Sequence, residues 1–410
     1  MPLDYHTVYR QINRFAEGAK AFYERQAADA AAVRETLLAW AEKGGALTER
    51  VLEAVRLEPH WRSAMPGDEP LAAAVPPPGD AAARVSAALV LAADGSQIEP
   101  DPHAGLYYAL VNVGMVMMAH DLTPRTHVTS KLWSPADLAN QRLQVGLQRD
   151  LRERQALAEA AEVLAGEAAL PPDREAFFAD APTDRAIVAL TDGPLELWGA
   201  KDDPTGAFRA ALAAYLRHLR TLARLDTLSA GYVDNPRANL VVHMLALAAL
   251  EDMPRAEDLR AIHHGEFAFQ GVTDRMLFSA LLAPGERSAV FGLVSQSRED
   301  YNDALALHFF YLNTSPDPQA PNIARVEIPA WVAQDAEAVT TLHAVLLWQS
   351  RRVPHTAYPY VLHRAHEVAV VRREDRQAVE TWLRQALLDH GIQPPLPSAK
   401  QRLKNMRRSP

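Results

Sequence analysis

The apolar and polar residues of this chain follow two different periods. Two apolar runs, residues 85–91 (interrupted only by Ser86) and 187–190, each lead into an Asp-Gly pair. Short apolar runs bounded by turn residues are typical of strands that are covered on both faces. Longer stretches instead repeat apolar residues every three or four positions, as amphipathic helices do. The pattern therefore predicts an α/β protein.

The N-terminal part is predicted to be a helical segment, residues 1–64. Within residues 4–43, Val8, Ile12 and Phe15 begin an apolar stripe at helical spacing. We interpret it as a helix packed on its own domain, with docking to a partner or a second copy as the alternative. The glycine pair that follows should end this helix. Residues 65–83, rich in proline, are predicted to be a linker or loop.

The main domain is predicted over residues 84–390. A strand at 107–118 follows the first apolar run after a short loop, which suits an antiparallel hairpin with Asp94 near its turn. Residues 231–237 are interpreted as a turn. Further strands are expected at residues 305–312 and 324–328, and helices at residues 135–168, 206–225, 238–250, 335–351 and 375–390.

Composition narrows the possible functions. The 410 residues carry a net charge of −9 and include no cysteine. Disulfides, zinc–thiolate sites and cysteine nucleophiles are therefore excluded, and a uniformly basic nucleic-acid binder is not expected, although a local basic cleft stays open. No phosphate-loop motif occurs, which argues against an NTPase. Without a signal peptide or an apolar run of ~20 residues, we expect a cytoplasmic protein with no membrane association.

Two aspartates that follow the apolar runs are the strongest candidates for chemistry, Asp94 and Asp192. A single Asp-Gly pair is usually a turn, but the repetition suggests two carboxylates facing one metal. Their oxygens suit Mg²⁺ and Mn²⁺. A third acid is expected from the helix between them, where Glu153, Glu159 and Glu162 compete. Each of the three could also be a solvated charge on a helix face.

A histidine-rich segment near the C-terminus adds a further candidate. His366 could bind a metal or transfer a proton. If residues 360–368 are helical, His363 lies on the same face as His366 and Glu367. A chance group of surface histidines is the alternative.

Several basic residues could contact nucleic acid. For Arg275 and Arg287, pairing with neighbouring carboxylates is the alternative. The tail, residues 391–410, contains no acidic residue, and its basic residues begin at Lys400 and include Lys404. In an acidic chain this asymmetry suggests contact with a polyanion, with a solvated tail as the alternative.

An ordered series of segments between about residues 90 and 370 resembles the NurA nuclease family in its bacterial form. The segments are Ala93-Asp94-Gly95-Ser96-Gln97-Ile98, Leu190-Thr191-Asp192-Gly193-Pro194-Leu195, Ala230-Gly231-Tyr232-Val233, Asp274-Arg275, Gly285-Glu286-Arg287-Ser288, Arg325-Val326-Glu327-Ile328-Pro329-Ala330-Trp331, Tyr358-Pro359-Tyr360 and Ala365-His366-Glu367.

The resemblance implies an RNase H-like mixed sheet flanked by helices, with helical insertions at about residues 200–300. It implies a homodimeric DNA nuclease that acts with Mn²⁺ (or Mg²⁺) as a 5′-to-3′ exonuclease and single-strand endonuclease. Such nucleases work beside HerA, a hexameric ATPase that translocates DNA, in the processing of DNA ends. This fits the missing phosphate loop, since the motor would be another protein.

The resemblance also assigns the site. It implies that Asp94, Glu153, Asp192 and His366 bind the metal and take part in catalysis, with Tyr358 as a further catalytic residue, while Gln97 is added to the candidate nucleic-acid contacts. Two other interpretations stay open: a catalytically degenerate fold that serves as a DNA-end clamp or assembly subunit of a motor complex, and a nuclease for RNA.

Overall fold

The structure is a computed structural model that describes residues 3–103, 105–141, 144–199, 206–353 and 356–394. The helices are α1 (Tyr5–Ala39), α2 (Gly44–Leu57), α3 (Ala81–Ser86), α4 (Pro135–Gln141), α5 (Val145–Leu164), α6 (Glu175–Phe178), α7 (Ala207–Arg224), α8 (Leu240–Ala248), α9 (Ala256–His263), α10 (Asp274–Ser279), α11 (Ala330–Ala333), α12 (Ala336–Ser350), α13 (Tyr360–Ala369) and α14 (Arg373–Asp389). The strands are β1 (Ser63–Met65), β2 (Ala74–Val75), β3 (Ala88–Ile98), β4 (Ala109–Ala119), β5 (Leu122–Trp133), β6 (Ala186–Asp192), β7 (Leu228–Val233), β8 (Arg287–Ser288), β9 (Phe291–Val294), β10 (Leu307–Asn313) and β11 (Ile323–Pro329).

The chain forms two compact units. The first unit comprises Met1–Pro78 and Val233–Ala333, and the second unit comprises Gly79–Tyr232 and Gln334–Pro410. The first unit thus joins the N-terminal helices to a later part of the chain. The second unit contains the residues for which metal binding was predicted, so it is the unit that matters most for function.

The second unit is built on a mixed sheet with the strand order β5-β4-β3-β6-β7. β4 runs antiparallel to both of its neighbours, β3 and β5. β6 and β7 then continue the sheet parallel to β3. Three antiparallel strands followed by two parallel ones make an RNase H-like sheet, and helices flank it. The predicted fold class is confirmed.

Apolar residues explain why β3 and β4 lie at the centre of this sheet. The first six residues of β3 and every residue of β4 are buried, as expected for strands with helices on both faces. β5 is an outer strand whose burial varies along its length, and its middle is largely half-buried or exposed. Both α5 and α13 pack against β3 and β4.

Two glycines show which helix covers which face of β3. A Cβ on Gly114 would lie 2.7 Å from the carbonyl oxygen of Ala365, on α13. A Cβ on Gly95 would lie 2.5 Å from Cγ of Arg149, on α5. Gly114 lies opposite Asp94 in the β3–β4 ladder, and residues that face each other across a ladder point to the same side. Asp94 therefore faces α13, and its neighbour Gly95 faces α5.

The interpretation of Asp94 as a residue at a strand end, close to a turn, is wrong. β3 continues to Ile98, and Asp94 lies inside its antiparallel ladder with β4. The hairpin itself is confirmed. What ends near Asp94 is the parallel ladder with β6, whose last pair is Ala93 with Thr191. The carboxylate consequently lies where β6 stops, although its own strand goes on.

Two further expectations for local structure are wrong. For residues 231–233 the predicted turn is wrong, because β7 extends to Val233 and its pairing with β6 continues to Tyr232. Gly231 fits there because a Cβ would lie 2.6 Å from the carbonyl oxygen of Gly193, so the glycine serves close packing inside a strand. At the N-terminus, α1 ends at Ala39, and the pair Gly44-Gly45 begins α2.

The first unit contains an antiparallel sheet with the order β1-β9-β10-β11. β10 and β11 confirm the strands predicted at residues 305–312 and 324–328. β8 pairs with β10 and with β2. β2 thus places part of the proline-rich segment in regular structure.

The apolar stripe of α1 is only partly buried. Val33 and Leu37 are buried near its C-terminal end, whereas Ile12, Phe15 and Phe22 are exposed. For these three residues the expectation of packing on the same domain is wrong. The alternative, a surface for a partner or second copy, stays a prediction. None of the described helices has both the length and the apolar character needed to span a bilayer.

A buried carboxyl connects α8 and β10 in the first unit. Asp274 accepts hydrogen bonds from the backbone nitrogens of Val241 and Val242, each at 2.9 Å, and from the hydroxyl of Tyr311 at 2.6 Å. The two backbone donors belong to the first turn of α8, where such N–H groups have no partner within the helix. Burial nevertheless disfavours the charged form and raises the pKa of Asp274 to about 6.

Replacing Gly114 by alanine should destabilise the protein. The added methyl group would lie 2.7 Å from backbone atoms of α13, and overpacking of this kind costs about 1–3 kcal/mol. Gly146→Ala is the matched control, since its Cβ would meet only the side chain of Gln97, at 3.6 Å. Calorimetric melting of both variants checks this. Equal midpoints for Gly114→Ala and the wild type would contradict the packing described here.

Replacing Asp274 by asparagine should remove part of the pH dependence of stability. A carboxyl whose pKa is raised on folding contributes stability that is complete below its ordinary pKa of 3.8 and is lost as pH rises through about 6. This difference in pKa corresponds to about 3 kcal/mol. The unfolding free energy of the wild type should therefore fall by about 2 kcal/mol relative to Asp274→Asn between about pH 4 and pH 7, since the loss begins just below pH 4. Urea titrations at both pH values measure it, and parallel pH profiles for the two proteins would refute it.

Candidate metal centre

Asp94 and Asp192 lie side by side because of the register of two parallel strands. Ala93 pairs with Thr191, and the next position on each strand is an aspartate. Neighbouring strands are about 4.8 Å apart, and residues in register point to the same face. The two carboxylates therefore share the face that α13 covers. Asp192 is also the last residue of β6, so the pair stands at the rim of the sheet.

His366 reaches this pair from α13. Its Nδ1 lies 2.7 Å from Oδ2 of Asp94. An ionised carboxylate can only accept a hydrogen bond, so Nδ1 donates. In the neutral imidazole the lone pair is then on Nε2, where it can bind a metal or accept a proton. The imidazole is largely exposed, which leaves it open to a ligand.

Polar contacts at the end of α13 hold His366 in place. The carbonyl oxygen of Ala369 accepts hydrogen bonds from Oγ of Ser96 at 2.5 Å and from Nδ2 of Asn112 at 2.7 Å. Ser96 Oγ in turn accepts from the backbone nitrogen of Val371 at 3.0 Å. Ser96 lies two residues after Asp94 on the same face of β3, so the strand that carries the aspartate also fixes the helix that carries the histidine.

Tyr358 contacts the second aspartate. Its hydroxyl donates a hydrogen bond to Asp192. Burial, together with the negative charge of Asp192, raises the pKa of Tyr358 far above its usual value. Its ring packs edge-to-face against Tyr232, with centroids 5.4 Å apart. Tyr358 therefore stays protonated and acts as a fixed donor that orients the carboxylate.

Glu153 approaches from the opposite face of the sheet. It lies on α5 and is only 7% exposed. Its Oε1 lies 2.6 Å from the point that a Cβ of Gly95 would occupy. The missing side chain of Gly95 thus leaves room for Glu153 beside the residue that follows Asp94, where the charge of Asp94 acts on it. Burial raises the pKa of Glu153 well above its usual value, and the charges of Asp150 and Asp94 raise it further.

Arg149 supplies positive charge among these acids. Its Nη2 lies 2.8 Å from Asp150 and its Nε 3.4 Å from Glu153. Burial disfavours the charged guanidinium, but the hydrogen bond to Asp150 and the charges of Glu153 and Asp94 outweigh this and raise the pKa of Arg149. Arg149 therefore remains a cation next to the carboxylates.

A buried arginine fixes the separation between the second and third acids. Arg154 is 1% exposed, and its guanidinium donates to Thr191 Oγ1 at 3.1 Å, Ser229 Oγ at 3.2 Å and the Tyr215 hydroxyl at 3.1 Å. Arg154 follows Glu153 in the chain, and Thr191 precedes Asp192. One side chain thus connects α5 to β6, β7 and α7 directly beside both acids.

The donor set fits a hard divalent cation. Carboxylate oxygens are the ligands that Mn²⁺ and Mg²⁺ prefer, and the imidazole of His366 adds one nitrogen donor beside them. The repulsion of Glu153 by Asp94 and Asp150 is the electrostatic condition that a bound cation relieves. Within the described ranges, no three His, Asp or Glu side chains are already arranged to hold a metal ion. Glu153 instead lies next to Arg149, and Asp94 is hydrogen-bonded to His366. The residues fit a metal by donor type and charge.

The other acids considered for the third position are engaged elsewhere on α5. Glu159 accepts from Arg174 at 3.1 Å, and Glu162 lies 3.5 Å from Arg224. His363, predicted to share a face with His366, lies 3.6 Å from Glu367. The structure thus brings Glu153 to Asp94, while Glu159 and Glu162 have partners outside the site.

The predicted nucleic-acid contacts fall in different places. Gln97 Nε2 donates to Glu99 at 2.6 Å. Arg275 is exposed on the first unit. Arg287 is buried in the first unit, and its guanidinium donates to both carboxylate oxygens of Glu69, at 2.7 and 2.9 Å. Lys400 and Lys404 lie outside the described residues.

Sequence reasoning missed the roles of two arginines. Neither Arg149 nor Arg154 is among the residues predicted for the site. The spacing of Arg149 carried a signal, since this residue is four positions before Glu153 and so lies on the same helical face. Arg154 had no such signal, because its partners come from β6, β7 and α7.

Comparison with known proteins identifies what the chain resembles. The NurA domain family matches residues 88–371. The solved structure of the NurA nuclease from Sulfolobus solfataricus aligns with 94% of this chain and 98% of its own, at a TM-score of 0.50 and 11% identity. The catalytic domain of human endonuclease V aligns with 83% of this chain and 98% of its own, at a TM-score of 0.30 and 12% identity.

A third solved structure is the endonuclease V of Ciona intestinalis in complex with a 24mer DNA containing an inosine followed by a ribo-adenosine. It aligns with 81% of this chain and 97% of its own, at a TM-score of 0.31 and 12% identity. A comparison with the curated proteins gives no match.

Replacing Gly95 by alanine should weaken metal binding without unfolding the protein. The new methyl group would push against Glu153 Oε1 and Arg149 Cγ, so Glu153 must leave its position beside Asp94. Displacing a ligand through its supporting contacts typically costs about 10- to 100-fold in metal affinity. Electron paramagnetic resonance of free Mn²⁺ during titration measures this. Wild-type Mn²⁺ affinity in Gly95→Ala would show that Glu153 is not a ligand.

Proposed function

The chain belongs to the NurA family, and we propose that it is a divalent-metal-dependent deoxyribonuclease whose site consists of Asp94, Glu153, Asp192, Tyr358 and His366. The observation that carries the proposal is the convergence of carboxylates from β3, β6 and α5 at one rim of the second unit's sheet. Glu153 is buried and is repelled by the charge of Asp94, an arrangement that is costly for a fold to maintain, and holding a metal offsets this cost.

The arrangement suits phosphodiester hydrolysis. A divalent cation, when bound, supplies Lewis-acid stabilisation of the charge that develops on the phosphate. Asp94, Asp192 and Glu153 would hold it, with the β3–β6 register setting the spacing of the first two. Arg149 lies among these acids and carries positive charge that can also face a phosphate.

Two further residues have separate tasks. Tyr358 donates its hydroxyl proton to Asp192 in a hydrogen bond and so fixes the direction in which that carboxylate presents its oxygens. His366, held through Nδ1 by Asp94, offers Nε2 as a ligand or as a group that accepts a proton from the attacking water. Both rely on α13 and the segment before it.

Family membership supports the finer parts of the proposal. They are 5′-to-3′ exonuclease and single-strand endonuclease activity with Mn²⁺ or Mg²⁺, a homodimer, and a HerA-like hexameric ATPase as partner in the processing of DNA ends in the cytoplasm. The similar Sulfolobus solfataricus protein is itself named a NurA nuclease. The presence of Asp94, Asp192 and His366 favours an active enzyme over a degenerate clamp.

Asp94→Asn and Glu153→Gln should each lower cleavage of labelled linear DNA by at least about a hundredfold. Both changes remove a charge that holds the cation while preserving shape. Glu159→Gln is the matched control on the same helix and should cleave normally, because its carboxylate faces Arg174. Melting curves verify folding, and DNA, RNA and hybrid substrates define the target.

The same assay can contradict the proposal in two ways. Full Mn²⁺-dependent cleavage by Asp94→Asn would show that Asp94 is not part of the catalytic site. Wild-type protein that binds DNA but cleaves no substrate with Mn²⁺ or Mg²⁺ would favour the clamp.

A further inference from the structure

A cleft opens beside the candidate metal centre in the second unit. Its volume is about 240 Å³, and Arg149, Glu153 and Asp192 contribute to its lining. These residues also belong to or border the candidate metal centre, so the cleft lies directly beside it. Pockets that bind drug-sized ligands have volumes of about 300–1,000 Å³. The cleft is therefore of a size for part of one nucleotide.

The charge of the cleft does not by itself attract a polyanion. Four carboxylates line it against two guanidinium groups: Asp150, Glu153, Asp192 and Glu196 against Arg149 and Arg154. Affinity for a nucleic acid in this cleft must then come from a bound cation or from contacts that do not depend on charge. Base stacking on an aromatic ring is a contact of the second kind.

An exposed tryptophan stands at this cleft. Trp198 lines it and is 59% exposed. It follows Asp192 by six residues in the segment that leaves β6, and Gly193 begins that segment with a φ of +96°, a backbone conformation that favours glycine. The turn at Gly193 thus carries the chain from the candidate catalytic aspartate to the tryptophan.

We propose that Trp198 stacks on an unpaired base of the DNA strand whose phosphate lies at the metal centre, making the cleft a single-strand subsite. The inference rests on the proposed function in taking DNA as the ligand. A base paired within a duplex is stacked between its neighbours and cannot present its face to a side chain unless it is extruded. The subsite therefore selects single strands or frayed ends.

Binding without cleavage tests the subsite. Fluorescence anisotropy with labelled oligothymidylate and with a blunt duplex, both in EDTA, should show a Kd for the single strand about 5-fold or more higher in Trp198→Ala. The Kd for the duplex should change less than about 2-fold, because no base is available to stack. Trp198→Phe, which keeps an aromatic ring, should recover most of the affinity.

A control and a second readout separate stacking from a general defect. Trp382 on α14 is 69% exposed and does not line the cleft, so Trp382→Ala should bind as the wild type does. Because the indole ring is neutral, Trp198→Ala should leave the slope of log K against log salt unchanged. With Mn²⁺ present, the variant should raise KM for the single strand and leave kcat within about 2-fold.

The outcomes distinguish this inference from the nuclease proposal. If the wild type cleaves DNA and Trp198→Ala binds and cleaves single strands normally, the subsite is refuted and the nuclease stands. If no cleavage occurs but Trp198→Ala loses single-strand binding, the subsite stands and the nuclease fails. Equal loss on duplex and single strand, or no single-strand binding by the wild type, would also overturn the subsite.

Discussion

The parallel pairing of β3 with β6 is the constraint on which the candidate site depends. Ala93 pairs with Thr191, so the two aspartates that follow come side by side. A slip of one residue would turn one carboxylate to the opposite face. Buried apolar side chains on both strands specify the register, because such a slip would move them out of the core. The hydrophobic core thus sets the position of two charged groups at its rim.

The third acid introduces a conflict that the surrounding residues resolve. Glu153 is buried and is repelled by Asp94 and Asp150, which opposes its ionisation. Arg149 lies 3.4 Å from it and offsets part of the repulsion. A movement of α5 away from the sheet would also relieve the repulsion. Arg154 prevents this movement, because its guanidinium donates hydrogen bonds to residues of β6, β7 and α7. The repulsion is therefore retained within a rigid frame, which is what a metal-binding site requires.

The sequence predicted the parts of this arrangement that depend on local patterns. Apolar runs located β3, β4 and β6, and the Asp-Gly pairs marked both aspartates. The same pairs misled about geometry, since only Gly193 has a turn conformation, whereas Gly95 makes room for Glu153. β7 was missed because its glycine and tyrosine resemble a turn until its pairing with β6 is known. The units could not be foreseen, because the first joins two segments that are separated in the sequence by the five strands β3 to β7.

The position of His366 beside Asp94 depends on residues from both the beginning and the end of the second unit. His366 and Asp94 are 272 positions apart in the chain, and some of the contacts that hold α13 against β3 and β4 need small or polar residues. Gly114 permits the backbone of α13 to approach, while Ser96 and Asn112 bond to its last carbonyl. Apolar packing alone would tolerate sliding of the helix along the sheet. Two directional hydrogen bonds to one carbonyl oxygen do not, so they fix the position of the helix along the strand. The imidazole consequently reaches Asp94 only when the first strand of the sheet and the last third of the chain have folded together.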